Sequence, residues 1–285
     1  MKHFIFSFFF LVATSICYAQ DSTAIYLSLG KKSYENESFK QAIKYYERAA
    51  SLSPDNFNAL MGLGDSKHKL QMFHEAIEQY NLAEGLNAQN AELFLNRGAA
   101  YIFIEEYKKA LKDFEKAEDL QLNSPKLYYY KGFCNAELSR YNQAVEDYSK
   151  AIELKPDYAE AYYNRGAAKA ELDNYEAGLS DFEQALQKKP DLQNGKMNIA
   201  LSMLGMKKYN DAISRLTDII DDRGENLSRA YFYRAEAYYE IKEKDKACSD
   251  WRRAANLGHE QAIENANTFC ETGTNKKKRT IDIVF

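Results

Sequence analysis

The chain repeats itself every 34 residues, and no other feature constrains its fold as tightly. With the first unit opened at Thr23, its eighth position is Gly30, and steps of 34 give Gly64, Gly98, Gly132, Gly166 and Ala200. Position 20 runs Ala42, Ala76, Ala110, Ala144, Gly178 and Ala212; position 27 runs Ala49, Ala83, Ala117, Ala151 and Ala185, then lapses to Ile219. One extra residue before a seventh unit restores the pattern as Ala235, Ala247 and Ala254. A period between 20 and 50 residues signals stacked supersecondary units that share a core with their neighbours. The units fall near residues 23–56, 57–90, 91–124, 125–158, 159–192, 193–226 and 228–261.

Glycine inside a helix costs about 1 kcal/mol relative to alanine, so glycines in one helical register need a compensating close contact. The pattern predicts paired antiparallel helices that touch at positions 8 and 20. Large residues surround the small ones. Position 24 is Tyr46, Tyr80, Phe114, Tyr148, Phe182, Leu216 and Trp251, and position 17 is Phe39, Phe73, Tyr107, Tyr141, Tyr175 and Tyr209. These rings are read as filler between stacked hairpins. Pro54, Pro156 and Pro190 sit at position 32, where a helix must stop.

These residues resemble the tetratricopeptide repeat family, whose pattern has a bulky residue at 4, Gly or Ala at 8, Ala at 20, an aromatic at 24, Ala at 27 and often Pro at 32. The runs Tyr163-Asn164-Arg165-Gly166 and Asp147-Tyr148-Ser149-Lys150-Ala151-Ile152 carry the likeness most fully. It covers about residues 23–261 and implies an all-α, right-handed solenoid of about seven antiparallel hairpins. The sixth unit departs furthest, with Lys196 at position 4, Ile219 at 27 and Gly224 at 32. A capping helix is expected over about 259–271, with Ile263, Ala266 and Phe269 or Cys270 turned inward.

The two ends read differently. Lys2, the apolar run Phe4 to Val12 and the small residues up to Ala19 form an export leader, with residues 1–19 removed and Gln20 as the new start. A membrane anchor and lipid attachment at Cys17 are the alternatives; the apolar run is shorter than the roughly 20 residues a spanning helix needs. At the other end, 272–285 is a basic stretch followed by Thr280-Ile281-Asp282-Ile283-Val284-Phe285, which alternates like a strand. A segment without fixed structure and one that pairs with a partner's sheet edge are its two readings.

Without the leader, 37 basic residues face 42 acidic ones. A net charge of about −5 offers no basic face for phosphates, so a nucleic-acid partner is not expected. His68, His74 and His259 lack ligand spacing, and no phosphate loop or serine elbow is present, so neither metal, cofactor nor catalysis is implied. Glu105-Glu106 and Asp221-Asp222 read as solvated helix ends and turns. Three cysteines remain. Cys248 and Cys270 are candidates for a disulfide that staples the cap, and Cys134 reads as a buried thiol.

Positions 7 and 23 change together. Arg97, Lys131, Arg165 and Arg234 occupy the first where Asp113, Asp147, Asp181 and Asp250 occupy the second; units with Leu29, Leu63 and Ile199 carry Tyr45, Gln79 and Arg215 instead. A base-to-acid bridge between the two helices of each hairpin follows.

What the resemblance implies about function is a concave surface lined by first helices at positions 2, 5, 6, 9, 12 and 13. Lys31, Tyr34, Met61, Asp65 and His68 fall there in the early units. Leu95, Asn96, Phe103, Lys126, Tyr129, Tyr130, Phe133, Tyr163, Asn164, Phe232, Tyr233 and Tyr239 fall there later, and they are the candidate groove for a protein or peptide partner. The family's version that grips a C-terminal carboxylate with lysine, asparagine and arginine is not matched. Met61, Asp65, Asn96, Lys126 and Tyr130 stand at those places, so only Asn96 and Lys126 survive. The expectation is a non-catalytic scaffold or adaptor in a bacterial cell envelope. An accessory subunit of a membrane or surface-assembly machine and an uncharacterised enzyme are the alternatives.

Overall fold

A computed structural model describes residues 22–192, 194–222, 226–270, 281 and 283–285. The expected leader, Gly224 of the sixth unit and the basic stretch 272–280 lie outside the described residues. The chain divides between Leu138 and Ser139 into two compact units. No Gly/Ser linker marks that point in the sequence.

The first unit contains α1 (22–35), α2 (Phe39–Leu52), α3 (Phe57–Lys69), α4 (Phe73–Leu86), α5 (Ala91–Phe103), α6 (Tyr107–Asp119) and α7 (Pro125–Glu137). The second contains α8 (Tyr141–Leu154), α9 (Ala159–Ala170), α10 (Tyr175–Lys188), α11 (Gly195–Gly205), α12 (Tyr209–Asp221), α13 (Leu227–Glu240), α14 (Lys244–Asn256) and α15 (Glu260–Cys270). In each unit every helix packs on the next, and the odd-numbered, first helices of neighbouring hairpins also touch. Among the described residues no strand forms, and no helix is long and apolar enough to cross a membrane.

Local chemistry sets the helix ends. Asn56, Asn90 and Ser124 stand immediately before first helices, and each side chain accepts from the backbone N–H three residues on. Each described hairpin turn has a non-glycine residue in the left-handed region at position 15, as at Glu37, Gln71, Glu105, Asp173, Lys207 and Lys242. The N–H of the following residue reaches back five positions, as from Met72 to the Lys67 carbonyl and from Glu106 to that of Tyr101. That is a Schellman closure made without glycine.

Position 8 works differently from the sequence expectation. The nearest obstacle to a side chain there is the position-24 ring more than the position-20 backbone. A Cβ on Gly64 would stand 2.5 Å from Tyr80, and one on Gly98 2.4 Å from Phe114. At Gly166 the facing backbone is equally near, with the Gly178 carbonyl oxygen at 3.0 Å. A Cβ on Gly62 of the next hairpin would also collide with the Tyr46 ring, so that ring lies between two glycine notches. The position-24 side chains are all buried.

The cap differs in its register. Ala262, Asn265 and Phe269 face inward, whereas Ile263 is 46% exposed. Its Phe269 packs on Trp251 of α14, and Cys248 and Cys270 are joined with their Cα atoms 5.5 Å apart.

A substitution pair tests the notch. Gly98→Ala should lower the unfolding free energy by about 1–2 kcal/mol, because overpacking outweighs the gain in helix propensity. Gly85→Ala, where a Cβ meets nothing within 4 Å, should raise it by up to about 1 kcal/mol. Urea unfolding of the two variants reads both signs.

Candidate peptide-binding surface and the clamps that position it

The first helices are held in place by guanidinium clamps. Arg97 of α5 meets Asp113 of α6 through two parallel bonds of 2.8 Å. Arg165 of α9 meets Asp181 of α10 at 2.8 and 2.7 Å, and Arg234 of α13 meets Asp250 of α14 at 2.7 and 3.0 Å. Lys131 and Asp147, the fourth pair expected, lie in different units; within its own unit Lys131 binds Glu118 at 2.6 Å.

Each arginine also has a third arm that sequence reasoning missed. Its Nη1 reaches back to position 25 of the preceding hairpin, which is Asn81 for Arg97, Ser149 for Arg165 and Thr217 for Arg234. The signal was available, because a small polar residue stands at position 25 before each arginine unit. The clamp therefore ties hairpin to hairpin as well as helix to helix. Burial pulls the Arg97 guanidinium pKa down, but Asp113 and Glu84 hold it above its ordinary value.

A second polar device involves position 9. Asp65 accepts from the Tyr80 hydroxyl at 2.8 Å and from Asn96 Nδ2 at 3.0 Å. Glu236 accepts in the same way from Trp251 Nε1 at 2.8 Å and Asn265 Nδ2 at 2.9 Å. In both, a carboxylate at position 9 joins a position-24 ring to an asparagine on the following first helix. Burial raises the Asp65 pKa, and the two hydrogen bonds offset part of that rise. Asn96 is thereby a joint of the stack as well as a surface group.

In the first unit the predicted surface splits into packed and open residues. Leu95 is 4% exposed and belongs to the core, so its place in the candidate groove is corrected: its side chain packs among the helices. Phe103 is 59% exposed, yet its ring lies parallel to Phe73 with centroids 4.5 Å apart and edge-on to His68. Lys126 is exposed above the Tyr130 ring at 5.5 Å. Tyr129 and Tyr130 are half-buried neighbours, and Phe133 meets Tyr107 edge-on.

In the second unit Tyr163 is half-buried, its hydroxyl accepting from Asn198 Nδ2 at 3.0 Å, and Asn164 is half-buried beside it. Phe232 and Tyr239 are corrected as open contact residues. Phe232 is 4% exposed and stacks on His259, while Tyr239 lies against Trp251 and Phe269 under the cap. Both are covered because α15 closes the end of the stack. Tyr233 is equally buried, but its hydroxyl meets the chain's own residue Val284.

Solved structures of similar fold cover much of the chain. A tetratricopeptide repeat protein from Parabacteroides merdae ATCC 43184 aligns with TM-score 0.60 at 19% identity over 88% of this chain and all of its own. MamA aligns with TM-score 0.55 at 26% identity over 60% of this chain and 93% of its own. YrrB, described as a TPR protein with an unusual peptide-binding site, aligns with TM-score 0.54 at 24% identity over 60% of this chain and 88% of its own. Models of the tetratricopeptide repeat match residues 27–91, 91–124, 159–192 and 229–257, and a TPR-repeat model matches 135–173. No curated protein matches the sequence significantly.

Asp250→Ala leaves the Arg234 guanidinium buried beside an empty partner site and should cost about 3–5 kcal/mol. Lys196→Ala, which removes an exposed pair with Asp222, should cost less than about 1 kcal/mol; thermal and urea unfolding measure both. His68 carries a buried Nε2 with no hydrogen bond, and burial lowers its pKa. The unfolded chain therefore takes up the proton first. Relative to His68→Phe, stability should be constant above about pH 7.5 and fall as pH drops below about 6.5, as urea titrations at several pH values will show.

Proposed function

Because the chain belongs to the tetratricopeptide repeat family, we propose that it is a non-catalytic scaffold that holds an extended segment of another protein on its first-helix surfaces. The family's hairpins serve generally as interaction scaffolds.

One observation carries the reading at residue level. Phe103 is a large, solvent-facing ring that its neighbours hold still, stacked on Phe73 with His68 at its edge. A fixed aromatic side chain offers contact area at small entropic cost, which is the chemistry of an interface anchor. Lys126 supplies charge beside it, close enough to act on both Asp65 and His68. The partner segment that fits carries an apolar side chain for Phe103 and an acidic group for Lys126.

The site of action in this reading is a bacterial cell envelope. Residues 1–19 have the form of an export leader, and a disulfide between Cys248 and Cys270 suits an oxidising compartment.

A photo-crosslinking residue at position 103 of the full chain in intact cells should give partner adducts. The same residue at Glu115, exposed on a second helix, should not. Lys126→Glu should remove the adducts without altering helical content. Identical adducts from both positions would reject the surface. Fractionation with mass analysis should recover a chain beginning at Gln20 in the envelope fraction; a cytosolic chain retaining residues 1–19 would reject the location.

A further inference from the structure

Residues 283–285 lie against the second unit, on Arg229 and Tyr233 of the first helix α13 and on the rings of Tyr175 and Phe182 from the second helix α10. Ile283 and Phe285 are half-buried against that unit's core, while Val284 between them is 63% exposed. The alternation read as strand-like in the sequence is thus real, but it is used without a sheet. Arg229 Nη2 donates to the Val284 carbonyl at 2.8 Å, and the Val284 N–H donates to the Tyr233 hydroxyl at 3.4 Å. Side chains of α13 therefore satisfy both main-chain groups of one residue. The Phe285 ring stacks on Tyr175 at 6.0 Å and on Phe182 at 6.2 Å.

The platform under Phe285 is built. Tyr175 is backed by Gly205, where a Cβ would stand 2.6 Å from its ring, and its hydroxyl donates to Asp173 at 2.8 Å. That hydrogen bond pushes the Tyr175 phenol up to about 12, so the ring is neutral at any physiological pH. The seat reads an extended backbone through Arg229 and Tyr233, ignores the middle side chain, and selects an aliphatic group on one side and an aromatic one on the other.

We propose that residues 283–285 are a resident ligand of the second unit's groove, and that a partner segment of the same chemistry, aliphatic-any-aromatic in extended form, enters by displacing them. This rests on the reading of first-helix faces as peptide-binding surfaces. A tethered segment competes at an effective concentration that reaches the millimolar range for short linkers, so the groove is closed to weak partners and opens to those that bind better or arrive at high local density.

The test uses a fluorescein-labelled peptide of residues 281–285, Ile-Asp-Ile-Val-Phe, and fluorescence anisotropy. It should bind a chain lacking residues 281–285 at least tenfold more tightly than the full chain. Arg229→Ala combined with Tyr175→Ala in the shortened chain should weaken it at least tenfold at unchanged helical content. Equal affinity for full and shortened chains, or no binding to a shortened chain that keeps its circular dichroism, overturns the proposal. A photo-crosslinking residue at 285 of the full chain supplies the second readout. Adducts to α10 within one chain support it; adducts only between chains, growing with concentration, overturn it. Adducts from position 103 report on the first unit's surface and are scored separately, so failure of the scaffold reading and failure of the resident ligand are told apart.

Discussion

The insertion of one bulky side chain into a glycine notch fixes most of what this protein can be. Phe114 against Gly98 and Tyr80 against Gly64 set the distance between the helices of a hairpin, and Tyr46 between Gly30 and Gly62 sets the distance to the next hairpin as well. Because the ring enters from the second helix, it consumes one face of the first helix. The opposite face has no packing duty of that kind and is left for other contacts. An open face on the first helices is therefore a geometric by-product of the core, and its residues can differ from hairpin to hairpin.

The arginine clamps solve a problem the notch creates. Helices brought this close carry polar side chains into a desolvated seam, and a lone buried charge there would be prohibitive. Arg97 answers with a fork on Asp113 and a third arm on Asn81, so the guanidinium is paired as it is buried. A lysine offers no such planar fork. Lys131 reaches Glu118 at position 28 of the preceding hairpin, the position from which Glu84 also serves Arg97. Position 9 repeats the logic with the signs reversed, since Asp65 and Glu236 are buried acceptors fed by a ring and an asparagine.

Much of this was legible because it recurs. Small residues 34 apart, rings at position 24, and acids that change with bases at positions 7 and 23 are periodic, and periodic constraints can be read from one sequence. What sequence reasoning missed depends on which of two plausible neighbours is nearer. Positions 8 and 20 were read as the contact that demands a small residue, yet at Gly30, Gly64 and Gly98 the ring at 24 stands nearest. Ile263 looked like a cap residue because it is apolar, but the helix turns Ala262, Asn265 and Phe269 inward and leaves it outside. Phe232 and Tyr239 obey the groove spacing and are nonetheless covered, because the last hairpin has a capping helix where the others have a neighbour. Spacing locates a face; only packing shows whether that face is open.

The end of the second unit shows what closing such a stack requires. Trp251 and Tyr239 would be exposed without α15, and a solenoid must end in a polar surface. The cap docks on the last hairpin through Ala262 and Phe269, a hydrogen bond from Asn265 to the buried Glu236, and the bridge from Cys248 to Cys270. Closing a loop of 22 residues stabilises by about 3 kcal/mol in the chain-entropy model, which is large for a helix of only eleven residues that propensity alone would leave marginal. The bridge also fixes the point from which the chain continues toward Ile283 and Phe285. A loosely attached cap would let that point wander and dilute the segment over the groove it occupies. The covalent staple and the resident segment thus belong to one arrangement, in which the strength of the cap sets how firmly the groove is closed.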